Sequence, residues 1–521
     1  MGVGVGASSG AKSSQYWAPH LPNFAPRRRR VTADAGVENA AVAMSAPKKS
    51  KLPNGISLAG FRALIEAHGG RAELEGKSTA WIKRNVVLPA TASAKTPFTA
   101  LVDGAHVAPA TAFVSHAYDD EFLGMVDSIA ALEAREGTSA FYYVDLLVVN
   151  QHGQDAIVPF EVLRGEFGES VRAIGRTLLY LRWADPTPLG RAWCVFEIST
   201  TLAVGKELKV IMPPGDVASF KDALEDDFDS LTCKTCRVDV EKATAREASD
   251  LANIQRAIVE GGGFLKTNQL VIGAMQGWMV EEARSALEEM PVEERATSAL
   301  INNLAALLSD LGELGDAEPL YREALAGHRR TLGDEHPLTL TSITNLAILL
   351  VDHGKLGDAE PLFREALAGH RRTLGDEHPS TLHSINNLAE CLRAKGNLGD
   401  AEPLHCEALA GRRRALGGEH PDTLASMRSL AVLLRDQGKL DEAEPLIREA
   451  LPVLRRTLGG EHPLTLDCTF NFAALLWAQG STAEAFQLFH KEIAVARRVL
   501  GEGHPTLQLY LSKYQSLTGR Q

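Results

Sequence analysis

Cysteine is scarce in this chain: Cys194, Cys233, Cys236, Cys391, Cys406 and Cys468 are the six in 521 residues. So sparse a set builds no disulfide framework and suits a reducing compartment. Cys233 and Cys236 make an isolated CxxC, and no second pair at comparable spacing supplies the further ligands that zinc needs. They read as ordinary thiols, and no metal site is expected. No run approaches the ~18 uninterrupted apolar residues of a membrane span, which predicts a soluble protein with no membrane contact. A surplus of basic charge is missing too. The 54 Lys and Arg against 66 Asp and Glu leave a formal net charge of -12, which argues against nucleic acid or an anionic membrane as partner. The Gly261 to Gly263 run lacks the Gly-Lys-Ser/Thr ending of a phosphate-binding loop, and reads as a turn. No Ser/His/Asp constellation has motif support.

What is present is more than one domain, since 521 residues exceed what a single core organises. Residues 1–55 are rich in Gly, Ala, Ser and Pro and hold only Asp34 and Glu38 as acids. Such a segment buries too little apolar surface to offset its ordering entropy and reads as a disordered tail. Its Arg27 to Arg30 run and its acid-poor composition have transit-peptide character, and Lys48, Lys49 and Lys51 could pass for a nuclear signal. A plain solvated tail on a cytoplasmic protein is the alternative. Residues 56–107 read as an accessory helical segment, for example over Leu58 to His68.

From about residue 297 the chain repeats itself. LGDEHPLTL around His336 returns as LGDEHPSTL around His378, LGGEHPDTL around His420 and LGGEHPLTL around His462, each 42 residues on, with a worn copy around His504. A fixed interval of this kind means a stacked array in which each unit buries its apolar face against its neighbours. Inside a unit the period is helical: Leu340, Ile343, Leu346, Ala347 and Leu350 are spaced by three and four. Pro337 suits the first position of a helix, Gly354 its end, and Asp358 the N-cap of a second. Arg371 and Arg372 then close the second helix, where cations complement the dipole, and read as a solvated basic ridge. Two antiparallel helices per unit make a solenoid over residues 297–518. The five His-Pro dipeptides cannot share a metal, because equivalent residues of successive two-helix units lie roughly 20 Å apart.

These units resemble the tetratricopeptide repeats of kinesin light chains. The match is carried by Asn-Leu-Ala in the first helix, Ala-Glu-Pro-Leu and Glu-Ala-Leu in the second, and the Leu-Gly-x-x-His-Pro loop. The resemblance implies a concave groove in which asparagines hold the backbone of an extended peptide, and so a protein or peptide partner. The matching positions are Asn303, Asn345, Asn387 and Asn471, with Ser429 breaking the series. Hydrogen bonding between repeats is the competing reason for an asparagine in mid-helix, where it is locally unfavourable. The resemblance stops short of a long N-terminal coiled coil, since nothing before residue 297 sustains heptads.

Between about residues 108 and 290, β-rich runs alternate with helical stretches: Thr111 to Ser115, Phe141 to Asp145, Thr177 to Leu181 and Leu208 to Met212, with Asp120 to Glu133 and Ala192 to Val204 as helices. Such alternation predicts an α/β domain with a mostly parallel sheet and a ligand site beyond its C-terminal strand ends. The Phe-Val-Ser-His run, the Tyr-Val-Asp run and the Trp-Cys-x-x-Glu run, in that order, resemble a Toll/interleukin receptor (TIR) domain of flavodoxin-like architecture. That family includes enzymes that cleave nicotinamide from NAD, and its catalytic glutamate matches Glu197. The resemblance implies NAD as a possible substrate, no required cofactor, and Ser115, His116, Asp145, Trp183 and Trp193 as residues facing the NAD. It also implies self-association. The chemistry fits a carboxylate, which can stabilise oxocarbenium character as in glycoside hydrolysis. The bland alternative has Glu197 in the first turn of its helix, complementing the dipole, with Trp193 and Cys194 as core. The stretch from Asp145 to Ser170 departs from the family, lacking its acidic, glycine-led loop. Three functions follow as expectations: a peptide-binding signalling scaffold, an NAD glycohydrolase whose repeats sense a partner, or a cargo adaptor with an inert α/β domain.

Overall fold

The computed structural model describes residues 52–152, 168–236, 238–499 and 505–519. Most of the expected disordered tail, the His504 copy of the repeat and much of the loop after Asp145 lie outside the described residues.

Six strands form one mixed sheet: β1 (Asn54–Ser57), β2 (Val107–Pro109), β3 (Ala112–Ser115), β4 (Phe141–Tyr143), β5 (Arg176–Tyr180) and β6 (Glu207–Ile211), in the order β2-β1-β4-β3-β5-β6. Four of them, β4, β3, β5 and β6, pair in parallel. Every residue of β3 is buried, as expected of a strand covered on both faces. The helix α2 (Phe122–Glu136) crosses from β3 to β4, and α3 (Ala192–Ala203) crosses from β5 to β6. The chain therefore leaves β3 in one direction and later returns to its other side, so the strand order reverses between β3 and β5. Ligand crevices of open α/β sheets lie at that reversal.

The segment 56–107 is not a separate accessory. β1 runs antiparallel to both β2 and β4, with Ile56 opposite Val107 and Tyr142, so this segment supplies the sheet's outer edge. The four residues Asn-Gly-Ile-Ser carry one apolar side chain and no readable period. Ile56 is fully buried only because Tyr142 and Phe61 are brought to it from elsewhere. The helix α1 (Leu58–Ala67) that follows is legible: Ser57 caps it, its hydroxyl accepting from the Gly60 amide at 3.2 Å.

The helix α4 (Pro214–Asp226) and the 27-residue helix α5 (Gly263–Glu289) carry the sheet domain onto the repeats. Phe220 stacks on Trp278 at 4.7 Å, and Met279, Ala283 and Leu287 of α5 pass into the same core as Leu300 and Leu304. One apolar core thus runs from β5 to the last helix.

Unit one is Ala299–Asp310 with Leu314–Leu332, unit two Pro337–Asp352 with Leu356–Leu374, and unit three Pro379–Ala394 with Leu398–Leu416. Unit four is Pro421–Asp436 with Leu440–Thr457, unit five Pro463–Ala478 with Thr482–Val499, and Pro505–Thr518 follows as a last helix. The recurring loop block has a mechanical reading. Gly375 ends one helix at φ 83, His378 caps the next by accepting from Ser380 N at 3.1 Å, and Pro379 takes N1. Thr381 then donates back to the Gly375 carbonyl at 2.7 Å. The histidines are N-caps, and His336, His420 and His462 repeat the contact. Asp358 is not the cap expected of it: the second helix begins earlier, at Leu356, and Asp358 sits in its first turn.

The paired arginines do not form a free basic ridge. Arg372, Arg414 and Arg456 meet Glu335, Glu377 and Glu419 of the preceding loop at 2.8, 2.5 and 2.6 Å. Arg329 and Arg413 reach forward to Glu365 and Glu449 at 2.5 and 2.8 Å. A basic pair at the end of one second helix thus staples it to two neighbouring units, which residue type alone does not reveal.

Candidate functional site

Two places gather polar side chains that packing alone does not explain. The first lies at the C-terminal ends of β3 and β4. Ser115 ends β3 and His116 follows it, both buried. Asp145 follows β4, its carboxylate accepting from the Tyr118 hydroxyl and from Leu146 N at 2.7 Å. His116 Nε2 stands 4.0 Å from Asp145 and has no hydrogen-bond partner, and burial pushes its pKa below the usual histidine range. The Cys194 thiol donates to the His116 carbonyl at 3.3 Å, and burial raises its pKa well above the ordinary thiol value.

Glu197 joins this group from α3, at 8% exposure. It is in the second turn of that helix, not the first, so the dipole account fails by position. Burial raises its pKa to about 8; the nearby Ser115 hydroxyl, although in no well-formed hydrogen bond, works the other way, and Asp145 adds to the rise. Asp120 behaves similarly: burial lifts it to about 7 while the Ala117 amide, donating at 2.8 Å, holds it down. Lys83 arrives from the edge segment, its amine 5.1 Å from the centre of the Tyr118 ring, with a pKa lowered by burial and raised by Asp145. The cluster is therefore a buried carboxyl-rich floor in which burial holds Glu197 and Asp120 toward their neutral forms, with one amine beside it.

Of the residues expected there, Ser115, His116, Asp145 and Glu197 come together and the two tryptophans do not. The Trp183 indole donates to Ser219 of α4 at 3.1 Å beneath the Lys234 amine. The Trp193 indole donates to Asp250 at 3.2 Å. Both indoles sit in the packing between helices, because α4 and the helix carrying Asp250 fold back over the strand ends. Tyr118 and Asp120 were missed although the Ala-Tyr-Asp-Asp run after His116 was a readable signal. Lys83 had none. Cys233 is exposed, and burial pushes the half-buried Cys236 thiol up to about 11.

The second place is the inner row of the solenoid's first helices, and its four asparagines have different fates. Asn303 is engaged by the chain itself, its amide donating to the Leu224 and Glu225 carbonyls at the end of α4 at 2.9 and 3.2 Å. The neighbouring Ser298 hydroxyl donates to the Glu225 carboxylate at 2.6 Å. The sheet domain occupies the first inner position, so Asn303 drops out as a peptide contact. Asn471 donates to the Asp467 carbonyl of its own helix at 2.9 Å and meets Arg435 of unit four at 3.5 Å. Asn345 is half-buried and makes no side-chain hydrogen bond among the described residues. Asn387 is 4% exposed, and its Nδ2 has no acceptor.

Unit three also breaks the apolar pattern of its neighbours. His405 stands where units one, two, four and five have Tyr321, Phe363, Ile447 and Phe489, and Glu390 stands where they have Ala306, Ile348, Val432 and Ala474. His405 is fully buried with neither ring nitrogen partnered, 3.9 Å from Glu390. Glu390 holds Arg393 at 2.9 Å, which also meets Asp436 of unit four at 3.0 Å.

The molecule is thus a mixed-sheet domain seated on a helical-repeat solenoid. Residues 296–372, 354–414, 383–456 and 422–498 each match the tetratricopeptide repeat model, so the C-terminal region is an all-helical array of tetratricopeptide repeats. Among solved structures, the repeats are similar to nearly identical TPR-like repeats from a kinesin light chain candidate of Podosopora anserina, 30% identical over 40% of this chain and 98% of that one, with a TM-score of 0.36. They are also similar to BtubC (BKLC) from P. vanneervenii, 24% identical over 44% and 91%, with a TM-score of 0.37. A third likeness is to YrrB, a TPR protein with an unusual peptide-binding site, 18% identical over 45% and 99%, with a TM-score of 0.27. No curated protein matches the chain. Among the described residues no helix is long and apolar enough to cross a membrane.

Proposed function

We propose that this protein is a peptide-binding scaffold, with a TIR-like assembly domain fixed at the N-terminal end of a tetratricopeptide groove. The observation that carries it is the contrast along the inner row. Asn303 and Asn471 are committed to the protein's own backbone, whereas among the described residues half-buried Asn345 makes no side-chain hydrogen bond and the buried Asn387 Nδ2 has no acceptor. An unpaired buried amide costs about 1–3 kcal/mol, which a bound peptide backbone would offset. The ligand is an extended segment lying across units two and three. Replacing Asn345 and Asn387 together by Ala should abolish pull-down of a genuine ligand while helix content by circular dichroism stays the same. A double variant that unfolds would mean these amides hold the repeats together.

The convergence of Ser115, Asp145 and Glu197 at the strand-order reversal favours a second reading, in which the α/β domain cleaves NAD. A carboxyl with a pKa of about 8 is mostly neutral at pH 7, so it stabilises an oxocarbenium-like transition state only as it ionises. Nicotinamide release should therefore increase as the pH passes through about 8 and fall on the order of a hundredfold in Glu197→Gln. Release that is flat with pH and survives the substitution would remove Glu197 from the chemistry. A wild type that leaves NAD intact from pH 6 to 9 keeps the scaffold alone.

A further inference from the structure

His405 fills a core position that Tyr321, Phe363, Ile447 and Phe489 fill in the other units, and it is fully buried with both ring nitrogens unpartnered among the described residues. Its helix, Leu398–Leu416, packs between the first helices of units three and four. On one side, Glu390 of unit three stands 3.9 Å from His405 Nε2. On the other, Arg412 of the histidine's own helix donates to Ser426 of unit four at 2.7 Å. Glu402, also of that helix, accepts at 2.9 Å from Gln437, the residue after unit four's first helix.

The charge around the ring is set against a proton. Glu390 already holds Arg393 at 2.9 Å, and Arg393 also holds Asp436 of unit four at 3.0 Å. The cations facing His405 are Arg393 from the first helix of unit three, Arg412 from its own helix and Arg428 from the first helix of unit four. Burial holds the imidazole neutral, Glu390 pulls the other way, and the three guanidinium groups side with burial. Exposed to water, the same ring takes up a proton at about pH 6.5. His328 and His370 are in a different position, since Ser342 and Ser384 meet them at 2.8 Å.

We propose that the second helix of unit three is an acid-operated break in the array, which lifts from the two first helices enclosing it as His405 takes up a proton from solvent. The closed form excludes the proton and the open form accepts it, so acid favours opening. The two orphaned nitrogens weaken the closed form in advance. A segment lying across units two and three would lose the support of unit three and be released; that consequence rests on the groove reading above, whereas the opening does not.

Hydrogen exchange on the full chain, resolved by helix from pH 7.5 to 5 and corrected for intrinsic rates, tests this. In the wild type, protection of Leu398–Leu416 should hold steady above about pH 6.5 and fall about tenfold per pH unit below it, one proton being taken up on opening. The second helix of unit four, Leu440–Thr457, contains no histidine and should keep its protection. His405→Gln keeps a polar side chain that takes no proton, and His405→Phe restores the aromatic of unit two. Both should flatten the response of Leu398–Leu416, with helix content at pH 7 checked by circular dichroism. Should either variant lose helix content, the wild-type contrast between the two helices still decides. A wild type in which Leu398–Leu416 does not respond to pH, a slope unchanged in His405→Gln, or an equal fall along Leu440–Thr457 overturns the break. Failure of the groove reading looks different: no peptide is retained at any pH, yet the exchange response is unaltered.

Discussion

Polar groups are buried in both halves of the molecule, but they are distributed differently. In the solenoid they recur. His328 meets Ser342 and His370 meets Ser384, both at 2.8 Å, and Arg412 meets Ser426 at 2.7 Å, always across the same helix junction. In the sheet domain Ser115 and His116, at the end of β3, and Cys194 and Glu197, on α3, occur once, and Ser115 Oγ and His116 Nε2 lack partners among the described residues. A polar contact that repeats with the architecture is explained by the architecture. One that occurs once, and is left unpaired, needs another reason. By that measure His405 of unit three belongs with the sheet cluster rather than with the rest of the array.

The comparison can be broken most sharply where the two halves meet. A Cβ on Gly327 would stand 2.5 Å from the Ala296 carbonyl oxygen, whereas one on Gly277 of α5 would touch nothing within 4 Å. Gly327→Ala should therefore cost about 1–3 kcal/mol in urea unfolding, and Gly277→Ala should stabilise by roughly 0.5–1 kcal/mol. Equal responses would mean the seam is looser than the units.

Removing a recurring contact should cost, and removing an isolated one should not. Ser384→Ala leaves His370 unsatisfied in the interior and should lose about 1–3 kcal/mol. His405→Phe restores the aromatic of unit two and removes two orphaned nitrogens, so thermal unfolding should shift upward. A destabilised His405→Phe would place that ring among the structural contacts.

The two halves should also respond to pH in opposite senses. Glu197 and Asp120 are held up to about 8 and about 7, so over that range the folded chain keeps protons that the unfolded chain has already lost. Stability of the cluster then falls as pH rises, by at most about 1.4 kcal/mol per carboxyl per pH unit. His328, His370 and His405 are pushed below the usual histidine range by burial. The unfolded chain takes up those protons first, so the repeats weaken as pH drops below about 6.5. Hydrogen exchange, corrected for intrinsic rates, should show β3 to β5 losing protection from pH 6 to 8 and the first helices of units one to three losing it from pH 7 to 5. Parallel responses would contradict these assignments. The smallest effect belongs to the exposed ladders: Arg413→Ala should cost under about 1 kcal/mol and less in high salt.

Much of this was legible. The 42-residue spacing, the apolar periods and the Gly, His and Pro of each loop act within a few residues of one another, so local sequence records them, and the helix pairs fall where those residues predict. The parallel strands β3, β4 and β5 are nearly as plain, since a strand covered on both faces is mostly apolar. The edge strand β1 was not, because one isoleucine has no period. Glu197, Ser115 and Asp145 were named from short runs in the right order, but nothing local distinguished the tryptophans that pack elsewhere from the side chains that converge.

The sequence by itself determined the repeating solenoid, its caps and the parallel core, because each depends on neighbours close along the chain. Tertiary structure alone decided which of four equivalent asparagines remain free. Asn303 loses its amide to carbonyls at Leu224 and Glu225 and Asn471 to its own helix, whereas those of Asn345 and Asn387 meet no acceptor among the described residues. Whether a polar group is satisfied depends on which distant element is folded against it.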